Sequence, residues 1–133
     1  MKAVDTNVLL RFFVQDENKE QAAIASSIML AASPDDPVFV PQIVIVEVVW
    51  VLRKRLKYPR HVVCALLRAA LSSAGIVFEH GEELLRLLTQ MPNCADEIAD
   101  NLIAISAAKA GCDGVCTFDM RAARTVSGME LLT

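Results

Sequence analysis

Strand-length apolar runs alternate with helix-length segments along the chain, and this alternation restricts the fold more than any other feature. Residues 1–4 form a short apolar entry that stops at Asp5, and after the polar turn Asp5-Thr6-Asn7 an apolar stretch at 8–14 begins a helix. Asp16 is placed to cap a helix over 17–32, and Ser33-Pro34-Asp35-Asp36-Pro37 breaks it. Strands are expected at 38–40, 76–78, 114–118 and 129–132; helices at 60–73, 82–89 and 96–110, with a helical turn at 121–124. Gly75 and Gly111 read as C-terminal helix stops. Such a βα succession predicts an α/β fold, a parallel sheet covered by helices on both faces. With 133 residues and no repeat, linker or low-complexity tract, one domain over 1–133 is expected.

The segment 43–52 is ambiguous. Val44, Ile45, Val46, Val48, Val49 and Val51 are β-branched and favour a strand. The segment from Gln42 to Lys57 is too long for a typical strand and ends in Arg53, Lys54, Arg55 and Lys57, which suits a helix C-terminus. A helix is the expectation, stopped by Tyr58-Pro59.

Several acids stand where an acid is costly. Two apolar runs end in aspartate: Lys2-Ala3-Val4 at Asp5, and Val115-Cys116-Thr117-Phe118 at Asp119. Ligands of open α/β sheets sit at the carboxyl ends of strands, so these two aspartates point to one site. Glu47 is the sole charge between Asp36 and Arg53. Among hydrocarbon it requires a cation, unless it faces water or pairs with Arg53. Asp96 and Asp100 share a helix face that Ile103 and Ala107 continue, so that face is expected to point inward. Asp96, at the helix start, can serve as a cap; Asp100 lies too far inside for that. Carboxylates converging without His or Cys suit a hard cation, Mg²⁺ or Mn²⁺, and the chemistry that follows is phosphodiester hydrolysis.

Composition narrows the setting. The hydrophobic fraction is 54% and the mean hydropathy +0.41, so an apolar face is expected to await a partner, in a homodimer or hetero-complex. Net charge is −3, which does not advertise a nucleic-acid binder, although a local basic patch suffices for a nuclease. No apolar run reaches the roughly 20 residues of a membrane span. Asp5 interrupts the only N-terminal apolar stretch, so no secretory leader is expected and a cytoplasmic location is. Cys64, Cys94, Cys112 and Cys116 form no C-x-x-C pair, His61 and His80 lack zinc-ligand spacing, and buried thiols are the expectation.

At this point four stretches resemble a known family. M-K-A-V-D-T-N-V-L-L-R-F, P-Q-I-V-I-V-E-V-V-W-V-L-R, A-D-E-I-A-D-N-L-I-A and G-C-D-G-V-C-T-F-D are similar, in order, to the motifs of PIN domains of the VapC toxin type. The resemblance runs from Met1 to about Asp119. It implies a three-layer α/β/α sandwich with a central parallel sheet of about five strands. It also implies an Mg²⁺- or Mn²⁺-dependent endoribonuclease, usually a homodimer, acting as a toxin neutralised by a cognate antitoxin. Asp5, Glu47, Asp100 and Asp119 carry over as catalytic metal ligands, and Asp96 carries over only as in some members. Asn7 and Thr117 would orient the carboxylates. Asn101 departs mildly, standing where a small Ala is common.

RNA would be gripped mainly through its backbone. Arg11, Arg121 and Arg124 flank the acidic motifs and are expected to hold phosphates. The run Arg53, Lys54, Arg55, Lys57, Arg60 reads instead as a solvated helix end. Aromatics make up 5% of the chain, so stacking platforms are scarce. A phosphotransfer nucleophile at Asp5 is the first rival, weakened because position 7 is Asn where that class has a second acid. The others are an RNA-processing nuclease of the same fold without a toxin role, and a catalytically inactive RNA- or protein-binding module.

Overall fold

The computed structural model describes all 133 residues, Met1–Thr133. Five strands and seven helices follow the expected alternation: β1 Lys2–Ala3, α1 Thr6–Phe13, α2 Lys19–Ala31, β2 Val38–Val40, α3 Gln42–Trp50, α4 Arg60–Leu71, β3 Ile76–Phe78, α5 Gly81–Gln90, α6 Ile98–Lys109, β4 Val115–Thr117, α7 Met120–Thr125 and β5 Met129–Leu131. A π-helical turn, Val51–Arg55, extends α3, and a 3-10 turn, Ala95–Glu97, precedes α6. The cap of α2 is Asn18, whose side chain accepts from Gln21 N–H, not Asp16.

All strand pairings are parallel, as the βα succession requires. They do not form one five-stranded sheet. β1, β2 and β3 make one sheet in that order, and β4 pairs with β5 in a second. β1 contributes only two residues to its ladder and has β2 as its one partner, which leaves its other edge free of strand pairing. The division extends to the packing. A cluster of 24 buried apolar residues serves the first sheet, and a small one of Ala122, Val126 and Met129 serves the second. α6 joins the halves, since it packs against both α3 and β4.

The β-branched stretch is helical, for a reason visible in its burial. Val44, Ile45, Val48, Val49 and Leu52 are buried, at helical spacing, while Ile43, Glu47 and Trp50 share the exposed face. Burying one such side chain is worth about 1.5–3 kcal/mol, against propensity costs of at most about 0.7 kcal/mol per residue. Pro41 offers α3 no side-chain cap; Glu79, just beyond β3, accepts from Gln42 N–H at 2.9 Å instead.

The thiols divide into two pairs. Cys64 and Cys94 are buried, and Cys112 and Cys116 are exposed, against the expectation of four buried thiols. Burial pushes the Cys64 thiol up, and burial together with the neighbouring Cys64 pushes Cys94 up to about 12. Only the thiolate reacts readily. A chromogenic disulfide reagent at pH 8 should therefore titrate two thiols quickly in the native protein and four after unfolding. Four fast thiols in native protein would contradict the buried pair.

Candidate active site

The two strand-end aspartates are held alike. Asp5 is the N-cap of α1, its Oδ1 accepting from Val8 N–H at 3.1 Å. Asp119 is the N-cap of α7, its Oδ1 accepting from Arg121 N–H at 2.9 Å and Ala122 N–H at 3.0 Å. Capping aims each carboxylate and leaves its second oxygen without a protein donor. Thr117 Oγ1 accepts from the backbone N–H of Asp119 at 3.0 Å, so it fixes the turn behind that carboxylate rather than the carboxylate itself.

Glu47 comes to the same corner as Asp5. α1 packs on α3, and Thr6 Oγ1 donates to Glu47 Oε1 at 2.9 Å. The exposed Glu47 takes no cation from Arg53, which is engaged elsewhere. Thr6 was not legible as a site residue, although a hydroxyl next to a strand-end acid was a signal for one. Asn7 is exposed and lines a groove of about 250 Å³ with Asp5, Val8, Arg11 and the α2 residues Ile24 and Ile28.

Asp100 is half-buried in the first turn of α6 and forms no ion pair. The face it shares with Ile103 does not point into the core. Ile103 is 51% exposed, and the buried stripe is the neighbouring one through Ala95, Ile98 and Leu102. Ile103 instead borders an apolar cleft between α3 and α6, together with Ile43, Val46 and Ala107. Asn101 Nδ2 donates to the carbonyl of Glu97 at 2.8 Å and braces the start of the helix.

Asp96 is committed to a cation of the protein itself. Arg53 Nε and Nη2 donate to its two oxygens at 2.8 and 3.1 Å, and Arg60 Nε stands 3.8 Å away. The Arg53 guanidinium, chiefly by these hydrogen bonds, holds the Asp96 carboxyl below the usual carboxylate range. A depressed pKa adds stability above the unfolded value of about 3.9 and loses it as pH falls through the folded value. Asp96→Asn should thus lower the urea midpoint at pH 7, with the gap from wild type closing as pH falls below about 4. A gap that persists at pH 2 would show that the ion pair is not its cause.

The arginines proposed for phosphate are partly engaged too. Arg11 Nη1 lies 3.0 Å from Glu17, and its Nε donates to Gln21 at 3.1 Å. Arg121 Nη2 donates to Glu97 Oε1 at 2.8 Å while its side chain stays 65% exposed, pinning α7 to the 3-10 turn. Arg124 is exposed.

Asp5 and Asp119 thus stand at N-caps, Asp100 in a first turn and Glu47 midway along α3, and the four do not form one cluster. No three His, Cys, Asp or Glu side chains lie close enough to hold a single ion. β1 and β4 belong to different sheets, so no ladder fixes the distance between the aspartates that follow them. The donor chemistry suits a hard cation, since the four candidates offer carboxylate oxygens only; the spacing does not itself compose a coordination sphere. No helix is long and apolar enough to cross a membrane. Among known families, the PIN domain matches residues 2–127. No curated protein matches the chain.

Proposed function

Because the chain belongs to the PIN-domain family, a family of nucleases, we propose that it is a metal-dependent endoribonuclease. The observation that best supports this is the shared posture of Asp5 and Asp119, each held by helix N–H groups through one oxygen with the other free. Thr6 brings Glu47 to the same turn as Asp5. Asp5, Glu47, Asp100 and Asp119 are the residues assigned to hold Mg²⁺ or Mn²⁺. A divalent cation held there would lower the pKa of a bound water and offset charge on the phosphoryl group. Thr6 sets the rotamer of Glu47, and Thr117 sets the turn that carries Asp119. Arg124 and the outer part of Arg121 remain assigned to RNA contact, and Asn7 to orienting the carboxylates; Arg11 acts through its ties to Glu17 and Gln21 as a brace of the Asp5 groove.

A toxin role, with a cognate antitoxin, and a homodimer are part of the same proposal. Ile43 and Trp50, 61% and 60% exposed, and Ile103 beside the α3–α6 cleft supply the apolar surface such partners would cover.

Purified protein should cut a labelled single-stranded RNA in Mn²⁺ and stop when EDTA is added. The placement of Asp5 and Asp119 behind strands of different sheets favours one alternative, a binding module that uses the fold without the chemistry. RNA left whole in Mn²⁺, while still retained by the protein, would establish that alternative.

A further inference from the structure

The run Arg53, Lys54, Arg55, Lys57, Arg60 is solvated for the most part, but it is not loose. Its first three members lie on a π-helical turn, closed by Leu56 N–H to the Val51 carbonyl at 2.9 Å, and just beyond it Tyr58 N–H donates to the Leu52 carbonyl at 2.8 Å. π-turns within α-helices occur often at functional sites. Lys57 sits in the left-handed region, with φ of 60°. A side chain there is strained, and strain of this kind persists where its surroundings hold it. Arg53 supplies that hold. Besides its two bonds to Asp96, its Nη1 donates to the carbonyl of Tyr58 at 3.0 Å.

This framework presents charge outward. Five of the thirteen Lys and Arg side chains lie within eight residues of a chain whose net charge is −3. Arg55 approaches Glu17 at 3.9 Å and Arg60 approaches Asp96 at 3.8 Å, both with more than half of the side chain exposed. Lys54 and Lys57 are exposed and have no ion-pair partner. Next to Arg53 and Arg60 opens a cup of about 500 Å³ lined by those two, His61, Asn93 and Pro59, the last its one apolar side chain. Polar donors, with the unpaired Lys54 and Lys57, fit a polyanion and give an apolar partner little to bury.

We propose that this shelf is a docking surface for the phosphate backbone of single-stranded RNA, separate from the four acids. It rests on the ribonuclease reading for the identity of the polyanion. Arg53 ties the shelf through Asp96 to the turn that precedes α6, four residues before Asp100, so RNA lying on it is led toward the helix carrying that acid. The contacts are to phosphates and carry no sequence preference.

The probe is a fluorescent oligouridylate of about 20 nucleotides, bound in EDTA over a range of salt concentrations. The doubly substituted protein Lys54→Glu, Lys57→Glu should bind at least about tenfold more weakly, with a salt slope shallower by roughly 1.4. Lys19→Glu with Arg86→Glu, an equal charge change on α2 and α5, should bind as wild type does. Equal weakening in both pairs would mean that net charge alone acts, and unchanged binding in the shelf variant would remove the shelf; either overturns the proposal. Cleavage in Mn²⁺ is read separately. Shelf-dependent binding without cleavage would leave the shelf standing and the nuclease reading lost; cleavage with shelf-independent binding would do the reverse.

Discussion

Asp5→Asn protein, folded and supplied with Mn²⁺, should cut RNA more than about 100-fold more slowly than wild type. Losing a residue that merely orients a metal ligand costs about 10–100-fold, and losing a ligand's charge should exceed that. The substitution is unusually clean here. Asn is as good an N-cap as Asp, so the bond from Val8 N–H and the start of α1 survive. What disappears is one negative charge at the carboxyl end of β1. Asp119→Asn is the parallel case, because its side-chain oxygen can still accept from Arg121 and Ala122 N–H. Cleavage by either variant within a few-fold of wild type, with matching circular dichroism, would take that aspartate out of the catalytic set.

Gly75→Ala should cost about 1–3 kcal/mol, the usual range for overpacking, and lower the melting temperature by roughly 4–15 °C. Gly75 is buried, and its φ lies outside the left-handed region, so its need is for space rather than for backbone freedom. A Cβ there would stand 2.4 Å from the carbonyl carbon and oxygen of Ala32 and 2.6 Å from Ser33 N. Those are backbone atoms, and no rotamer change relieves the clash. The chain after α2 must move away from the chain entering β3. The carbonyl of Gly75 accepts from Val38 N–H at 2.9 Å, so that movement strains the start of the β2–β3 ladder. A melting temperature unchanged within about 1 °C would show that the two segments yield freely.

Much of this architecture is written locally. Strand and helix placement followed from apolar run lengths, Pro and Gly breaks and caps, which act within a few residues. Even 43–52 could be resolved, because its length and basic end outweighed its β-branched side chains. What failed depended on tertiary choice. α6 carries Ala, Ile and Leu on nearly every side, so its pattern does not tell the stripe through Ile98 and Leu102 from the one through Asp100 and Ile103. Nothing in a strand's composition says which edge pairs with which, and the division into a three- and a two-stranded sheet was invisible for that reason. Asp16 and Asn18 are both good caps, two residues apart, and only the path of the chain selects between them.

The site was legible as residue types and less so as geometry. The acids ending two apolar runs, and the single acid inside a third, stand out in the sequence by their cost alone. Arg53 with Asp96, Thr6 with Glu47 and Glu79 with Gln42 bring together residues 37 to 43 positions apart, and sequence offers no rule for such pairs. Arg53 shows the consequence: a residue read as part of a solvated end proves to be the brace of both the π-turn and the entry to α6.

The central claim is that side chains from both sheets share one divalent cation, and Mn²⁺ binding followed by electron paramagnetic resonance tests it without requiring turnover. Wild-type protein should take up Mn²⁺, Asp5→Asn and Asp119→Asn should each weaken uptake markedly, and the double variant should be little worse than the weaker single one. Equal Mn²⁺ affinity in wild type and both single variants would show that these aspartates hold no common ion.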